Sequence, residues 1–210
     1  SVRTVISICR RASWCRMNLI ETILSWNPLR RFLDSERGVA ATEFALTIPV
    51  WAALLVGTAD GAYCLIVNER VDRIAYTVTN IVTQQQSVTT AGLNNIALAA
   101  GELMQPFPFG ANGVVIVTSI FKPVGQPPAI TWQYTGGGSL GRTSRIGLPG
   151  NPSLAMPNGL TLNDNENVIV SEVYYVFTPM FGDAGILSPG DVYRAAIYKP
   201  RLSQLTTPPT

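Results

Sequence analysis

The sequence predicts an α+β protein in which one long N-terminal helix packs on an antiparallel sheet of about four strands. Two observations carry this. Residues 39–67 form an apolar run whose helical spacing continues beyond it, and residues 105–210 hold 13 of the 15 prolines and 13 of the 18 glycines of the 210-residue chain, as strands joined by turns do. A third observation sets the environment: 47% apolar against 13% charged residues is too little charge for an ordinary soluble domain.

The first element is basic. Residues 1–38 carry seven Arg against Glu21, Asp34 and Glu36, whereas residues 39–210 hold eight basic and ten acidic residues. Positive charge just before an apolar run is the positive-inside pattern, which puts residues 1–38 in the cytoplasm as a leader and the rest across the membrane. Within the leader, Leu19, Ile20, Ile23, Leu24, Trp26, Leu29 and Phe32 would line a short interfacial helix bent at Pro28. The internal Met17 is read as the translation start.

The second element, VAATEFALTIPVWAALLVGTADGAYCLIV from Val39 to Val67, is 29 residues long. A hydrocarbon core needs about 20 helical residues, so this run is long enough to span it. Two carboxylates interrupt it, and each needs a reason, because a charge at mid-bilayer costs at least ~2.5 kcal/mol. Glu43 stands about one turn inside the inner interface. Asp60 follows ~25 Å further on, at the outer interface, where it is expected to reach water. Pro49 removes the hydrogen bond to the Ala45 carbonyl and should loosen the helix locally. Ala53, Gly57 and Gly61 recur every four residues, a stripe that fits lateral helix packing and fits lipid-facing small residues equally.

Helical spacing then continues through Val67, Val71, Ile74, Val78, Ile81 and Val82, with Asn68, Glu69, Asp72, Arg73 and Asn80 on the other side. Residues 68–86 therefore extend the helix outside the membrane. A separate domain is expected over 87–210, with a second helix at Gly92 to Met104 stopped by Pro106 and Pro108. Strands are expected at Val114 to Phe121, Ile130 to Tyr134, Val168 to Phe177 and Val192 to Tyr198. Val114 to Phe121 is apolar on both faces and reads as a central strand with the long helix against one of them. The Gly-rich stretch from Thr135 to Asn165 reads as a surface loop for contacts with other subunits.

Chemistry is sparse. There is no His, which removes the usual general base and the commonest nitrogen ligand for metals. Cys9, Cys15 and Cys64 have no C-x-x-C spacing, so neither a metal knuckle nor a disulfide framework is expected. Gly136, Gly138 and Gly141 match G-x-G-x-x-G, but the Gly- and Pro-broken Arg142 to Pro152 cannot supply the helix such a site needs. Basic residues do not cluster with aromatics, so no nucleic-acid partner is expected. No catalytic residue, metal or cofactor is assigned. A periplasm-facing Ser/Lys enzyme would have to rely on Lys122 or Lys199, both beside Pro and outside any catalytic motif.

Arg37-Gly38-Val39-Ala40-Ala41-Thr42-Glu43-Phe44-Ala45-Leu46, with Pro49 after it, resembles the N-terminus of TadE-like proteins, the minor pseudopilins of the tight-adherence (Tad, or Flp) pilus. Asp60-Gly61, the line Glu166 to Phe181 and Ile197 to Arg201 are more weakly similar to later parts of that family. The resemblance implies a pilin-like fold and a bacterial inner-membrane protein of one pass with a periplasmic domain. It also implies a prepilin peptidase that cuts after Gly38, leaving Val39 as N-terminus, Glu43 as fifth mature residue and Phe44 as sixth. The α-amino cation at Val39 and the Glu43 carboxylate would then compensate each other among packed helices. Implied partners are other pilins and pseudopilins, the peptidase, inner-membrane platform proteins and the lipid bilayer. Asp60 in place of the family's more usual Glu leaves a TadF-like or TadG-like sibling open, and an uncleaved signal-anchored binding domain is the alternative from another class.

Overall fold

The computed structural model describes residues 36–150, 156–182 and 187–210. The leader helix and the Met17 start fall outside the described residues. The chain divides into two compact units, Ser1–Leu55 and Val56–Thr210, and the division falls inside a helix. That helix, α1, runs from Glu36 to Thr83 for 48 residues with Pro49 inside it. In the first unit its described side chains are exposed throughout, among them Leu46 at 77% and Leu55 at 72%. Its most apolar window has a mean hydropathy of 1.8 and none of it is buried, so the helix is long and apolar enough to cross a membrane.

The second unit is the α+β domain. The α1 face made by Val67, Val71, Ile74, Ala75, Val78 and Val82 is at most 1% exposed. Ile81, expected on this face, is 37% exposed because its position in the helical repeat turns it off the stripe. Each fully buried Val or Ile contributes about 2 kcal/mol of apolar burial, so this stripe is a main tie between helix and sheet. A second helix, α2 (Thr90–Glu102), starts where the Thr89 hydroxyl accepts the Gly92 N–H at 3.0 Å, and sends Leu93 and Ala100 into the same core.

Four strands follow: β1 (Gly113–Lys122), β2 (Ala129–Gly136), β3 (Glu166–Phe177) and β4 (Gly190–Tyr198). They form one antiparallel sheet in the order β2-β1-β3-β4, so β1 is central as its two-sided apolar pattern requires. Side chains alternate between faces. Val115, Val117, Ile169, Val173 and Tyr175 join the α1 stripe in one core cluster, while Ile120, Val168 and Val170 belong to another, and Val114, Ile116 and Tyr174 to a third.

β2 obeys this alternation through a bulge. Ser119 pairs with Trp132 but Ile120 pairs with Ile130, leaving Thr131 as the extra residue. Ile130 and Trp132 are two apart and would otherwise share a face; the bulge sends Trp132 to the α1 core and Ile130 to the opposite cluster.

Described residues between β2 and β3 pack on the second face of the sheet. Ile146 is 1% exposed and Leu162 7%, both packed with Ile120, Ile130, Val168 and Val170, while Leu140 packs on Val114 and Ile116. Most described residues of this stretch are exposed, as a surface loop requires, but Ile146 and Leu162 turn inward, because a sheet that is apolar on both faces needs a cover on each.

Candidate functional site

The expected processing residues lie in the first turns of α1. Gly38 and Val39 are helical, two and three residues from its start at Glu36. Val39 is 55% and Phe44 65% exposed, and Glu43 is exposed too. The Thr42 and Thr47 hydroxyls donate to the Val39 and Phe44 carbonyls at 2.8 and 3.0 Å, so both polar side chains are satisfied within the helix. Farther along, Ala53 is exposed, Gly57 half-buried, and a Cβ added at Gly61 would meet nothing within 4 Å. The small-residue stripe thus leaves open space at Gly61 rather than accommodating a close neighbour from this chain.

Asp60 departs from its expected role. It is 0% exposed rather than turned to water, and its Oδ1 accepts the backbone N–H groups of Met180 and Phe181 at 3.1 and 3.4 Å. Its Oδ2 has no hydrogen-bond partner. The turn after β3 folds back onto α1 here, so Asp60 is the first fully buried residue of the described helix, and Val67, where the apolar run was expected to leave the membrane, is fully enclosed. The sequence signal for this is the carboxylate itself, placed seven residues before the amphipathic stripe.

Polar ties reinforce the helix against the sheet and its loops. The Arg194 guanidinium of β4 donates to Asn68 Oδ1 at 2.8 Å and pairs with Asp72 at 3.3 Å. The Arg70 guanidinium donates to the carbonyls of Leu103 and Gln105 and lies 5.5 Å from the centre of the Phe107 ring, which meets Tyr63 edge-on.

Two polar clusters escaped the sequence reading. On the covered second face, Glu172 is 0% exposed. It accepts the Ser144 hydroxyl, the Arg145 N–H at 2.9 Å and the Tyr193 hydroxyl at 2.9 Å, with the Tyr174 hydroxyl at 3.4 Å. The Arg145 guanidinium stacks 4.0 Å from the Tyr193 ring centre. Burial first, and then the Glu172 carboxylate, push the Tyr174 hydroxyl up to about 12 and raise Tyr193 as well. Here the loop is pinned to the sheet by a satisfied buried carboxylate.

The other cluster lies on the α1 side, around the chain segment after β4. The Leu205 carbonyl accepts both the Ser119 hydroxyl and the Trp132 indole N–H at 2.7 Å, and its N–H donates to Asn167 Oδ1 at 3.0 Å. Asn167 returns its amide to Ser119 and the Ile120 carbonyl, and the bulged Thr131 donates to Ser119 at 2.9 Å. Neither cluster has a sequence signature, because its members are spread over residues far apart in the chain.

The glycine-rich stretch serves packing. Gly137 has φ +80° and a Cβ there would stand 2.8 Å from the Ala97 carbonyl oxygen, while one on Gly138 would stand 2.1 Å from that of Gly113. Only glycine lets this backbone approach α2 and β1 so closely.

Lys122 pairs with Asp164 at 3.0 Å and Lys199 with Glu166, so both lysines are held by carboxylates. Hydrogen bonds from Lys199 and then from Asn163 hold the Glu166 carboxyl below its ordinary range, and Lys122 does the same for Asp164. A surface groove of about 530 Å³ lies between α2 and the Gln105 to Gly110 segment, and Glu102 is the one ionisable residue in its lining. Among the described residues no group of three or more His, Cys, Asp or Glu is placed to hold a metal. No protein family, curated protein or solved structure matches the chain.

Proposed function

We propose that this chain is a minor pilin-like structural subunit of a Tad/Flp-type pilus assembly and secretion apparatus, cut by a prepilin peptidase after Gly38 and supporting surface adherence. One observation carries the reading: the Arg37-Gly38 to Phe44 motif opens an exposed apolar helix that continues, in the same α1, as the core stripe of an α+β domain. A subunit that leaves the bilayer for a filament needs its anchor and its folded head on one element, and α1 supplies both. The site performs no chemistry of its own in this reading. Glu43 stands four residues after Val39 on an exposed face, one helical turn from the amine that cleavage would create.

Partners in this reading are other pilins and pseudopilins, the peptidase, platform proteins of the inner membrane and lipid. N-terminal sequencing after expression with a prepilin peptidase is expected to return Val39 first, and Gly38→Val should retain the leader by crowding the scissile bond. A leader that stays intact on the wild-type chain beside an active peptidase would defeat the proposal in favour of a signal-anchored binding domain.

A further inference from the structure

We infer that the turn after β3, residues Thr178 to Gly182, is a second membrane contact whose Met180 and Phe181 side chains rest in the interfacial layer of the bilayer. The inference rests on the reading of the first part of α1 as a membrane span, and adds to it a lipid contact made by the domain.

Depth is the first argument. About 20 helical residues cross a hydrocarbon core, and counted from Val39 they end near Thr58. Asp60, two residues on, therefore stands at the level of the headgroups. Its Oδ1 holds the N–H groups of Met180 and Phe181, so the turn is fixed to α1 at that level.

Side-chain chemistry is the second argument. Met180 is 63% and Phe181 44% exposed, an adjacent pair of large apolar groups with no charge from Thr178 to Gly182 and Asp183 next in sequence. On α1, Leu65 and Ile66 are exposed as well, so apolar surface persists beyond Asp60. A headgroup and acyl boundary accepts such groups, and the gain scales with the apolar area covered.

Asp60 itself is placed at a cost. A buried carboxylate with one oxygen unpartnered carries a desolvation cost. Pinning two consecutive backbone N–H groups of an apolar turn gives it a structural role at this depth. At the other end of the sheet Val124, in the β1–β2 turn, is 73% exposed but has no such tie to α1, and it serves as an internal comparison.

The full chain, with Cys9 and Cys15 replaced by Ser and Cys64 by Ala, is reconstituted into phosphatidylcholine/phosphatidylglycerol vesicles. A fluorescent nitrobenzoxadiazole probe is attached at Phe181→Cys, Val50→Cys or Val124→Cys, and quenching is read with lipids spin-labelled at a shallow or a deep acyl position. Position 181 is expected to lose about half its emission to the shallow label and less to the deep one, Val50 to be quenched best by the deep label, and Val124 by neither. Met180→Cys repeats the measurement where the Phe181 variant folds poorly. Quenching at Val50 with none at 180 and 181 overturns the lipid contact while leaving the span intact. A probe at 181 shielded from both lipid labels and aqueous iodide identifies a protein neighbour instead, which also overturns it. An unquenched Val50 overturns the span and this inference together.

Discussion

Glu172 sits in the middle of a sheet with no water to solvate it, and its four donors come from three separate segments: the loop, β3 and β4. Removing the acceptor leaves the part-buried Ser144, Arg145 and Tyr193 donors without their partner, and a fully buried group so left costs about 1–3 kcal/mol. Glu172→Ala is therefore expected to destabilise the domain by about 3 kcal/mol, with Glu172→Gln, which keeps a carbonyl acceptor, losing less. Urea unfolding of the full chain in detergent micelles, followed by tryptophan fluorescence, measures this as a lower midpoint at unchanged slope. Equal midpoints for Ala and wild type would show that the donors are resolvated by water. Asp60 teaches a related lesson at the same scale. Its position in the apolar run suggested a boundary with water, whereas its oxygen faces a turn 120 residues away, a contact that helical spacing cannot encode.

Among the elements, the segment after β4 acts as a strap. Leu205 is 4% exposed in the α1 core and its backbone is bonded to β1, β2 and β3 side chains, while Leu202, three residues earlier, is 62% exposed. Leu205→Ala should cost about 3 kcal/mol through the cavity it leaves. Leu202→Ala should stay within about 0.5 kcal/mol, as exposed substitutions do. Comparing the two in the same unfolding assay isolates burial from composition; equal effects would mean the strap contributes nothing by packing. The strands were legible because β1 and β3 alternate or run apolar over eight or more residues, and their observed ends lie within two residues of the expected ones. The cover over the second face was not legible. Ile146 and Leu162 are isolated apolar residues among Gly, Pro and polar neighbours, with no period to mark them as core.

For the whole molecule, the legible part is the architecture: a helix whose pattern changes from uniformly apolar to one-sided, and a Gly- and Pro-rich sheet domain. What escaped are the ties between segments distant in sequence, which make the domain one cooperative unit. Those ties give it an alkaline weakness. Tyr174 is raised from 10.0 to about 12. A phenol with a raised folded pKa contributes stability that is fully present below its unfolded value and is lost as the pH rises through the folded one. Unfolding free energy should therefore fall between about pH 10 and 12, and Tyr174→Phe should flatten that slope; an identical slope in the variant would assign the loss elsewhere. A different consequence follows from the continuity of α1. Within the second unit, a pull along α1 loads Val67, Val71, Ile74, Val78 and Val82 in series. To extract the helix, that load must slide the whole row past the sheet at once instead of peeling contacts singly. Inside the domain the keystone is a single helix, so tension applied along it is carried in shear.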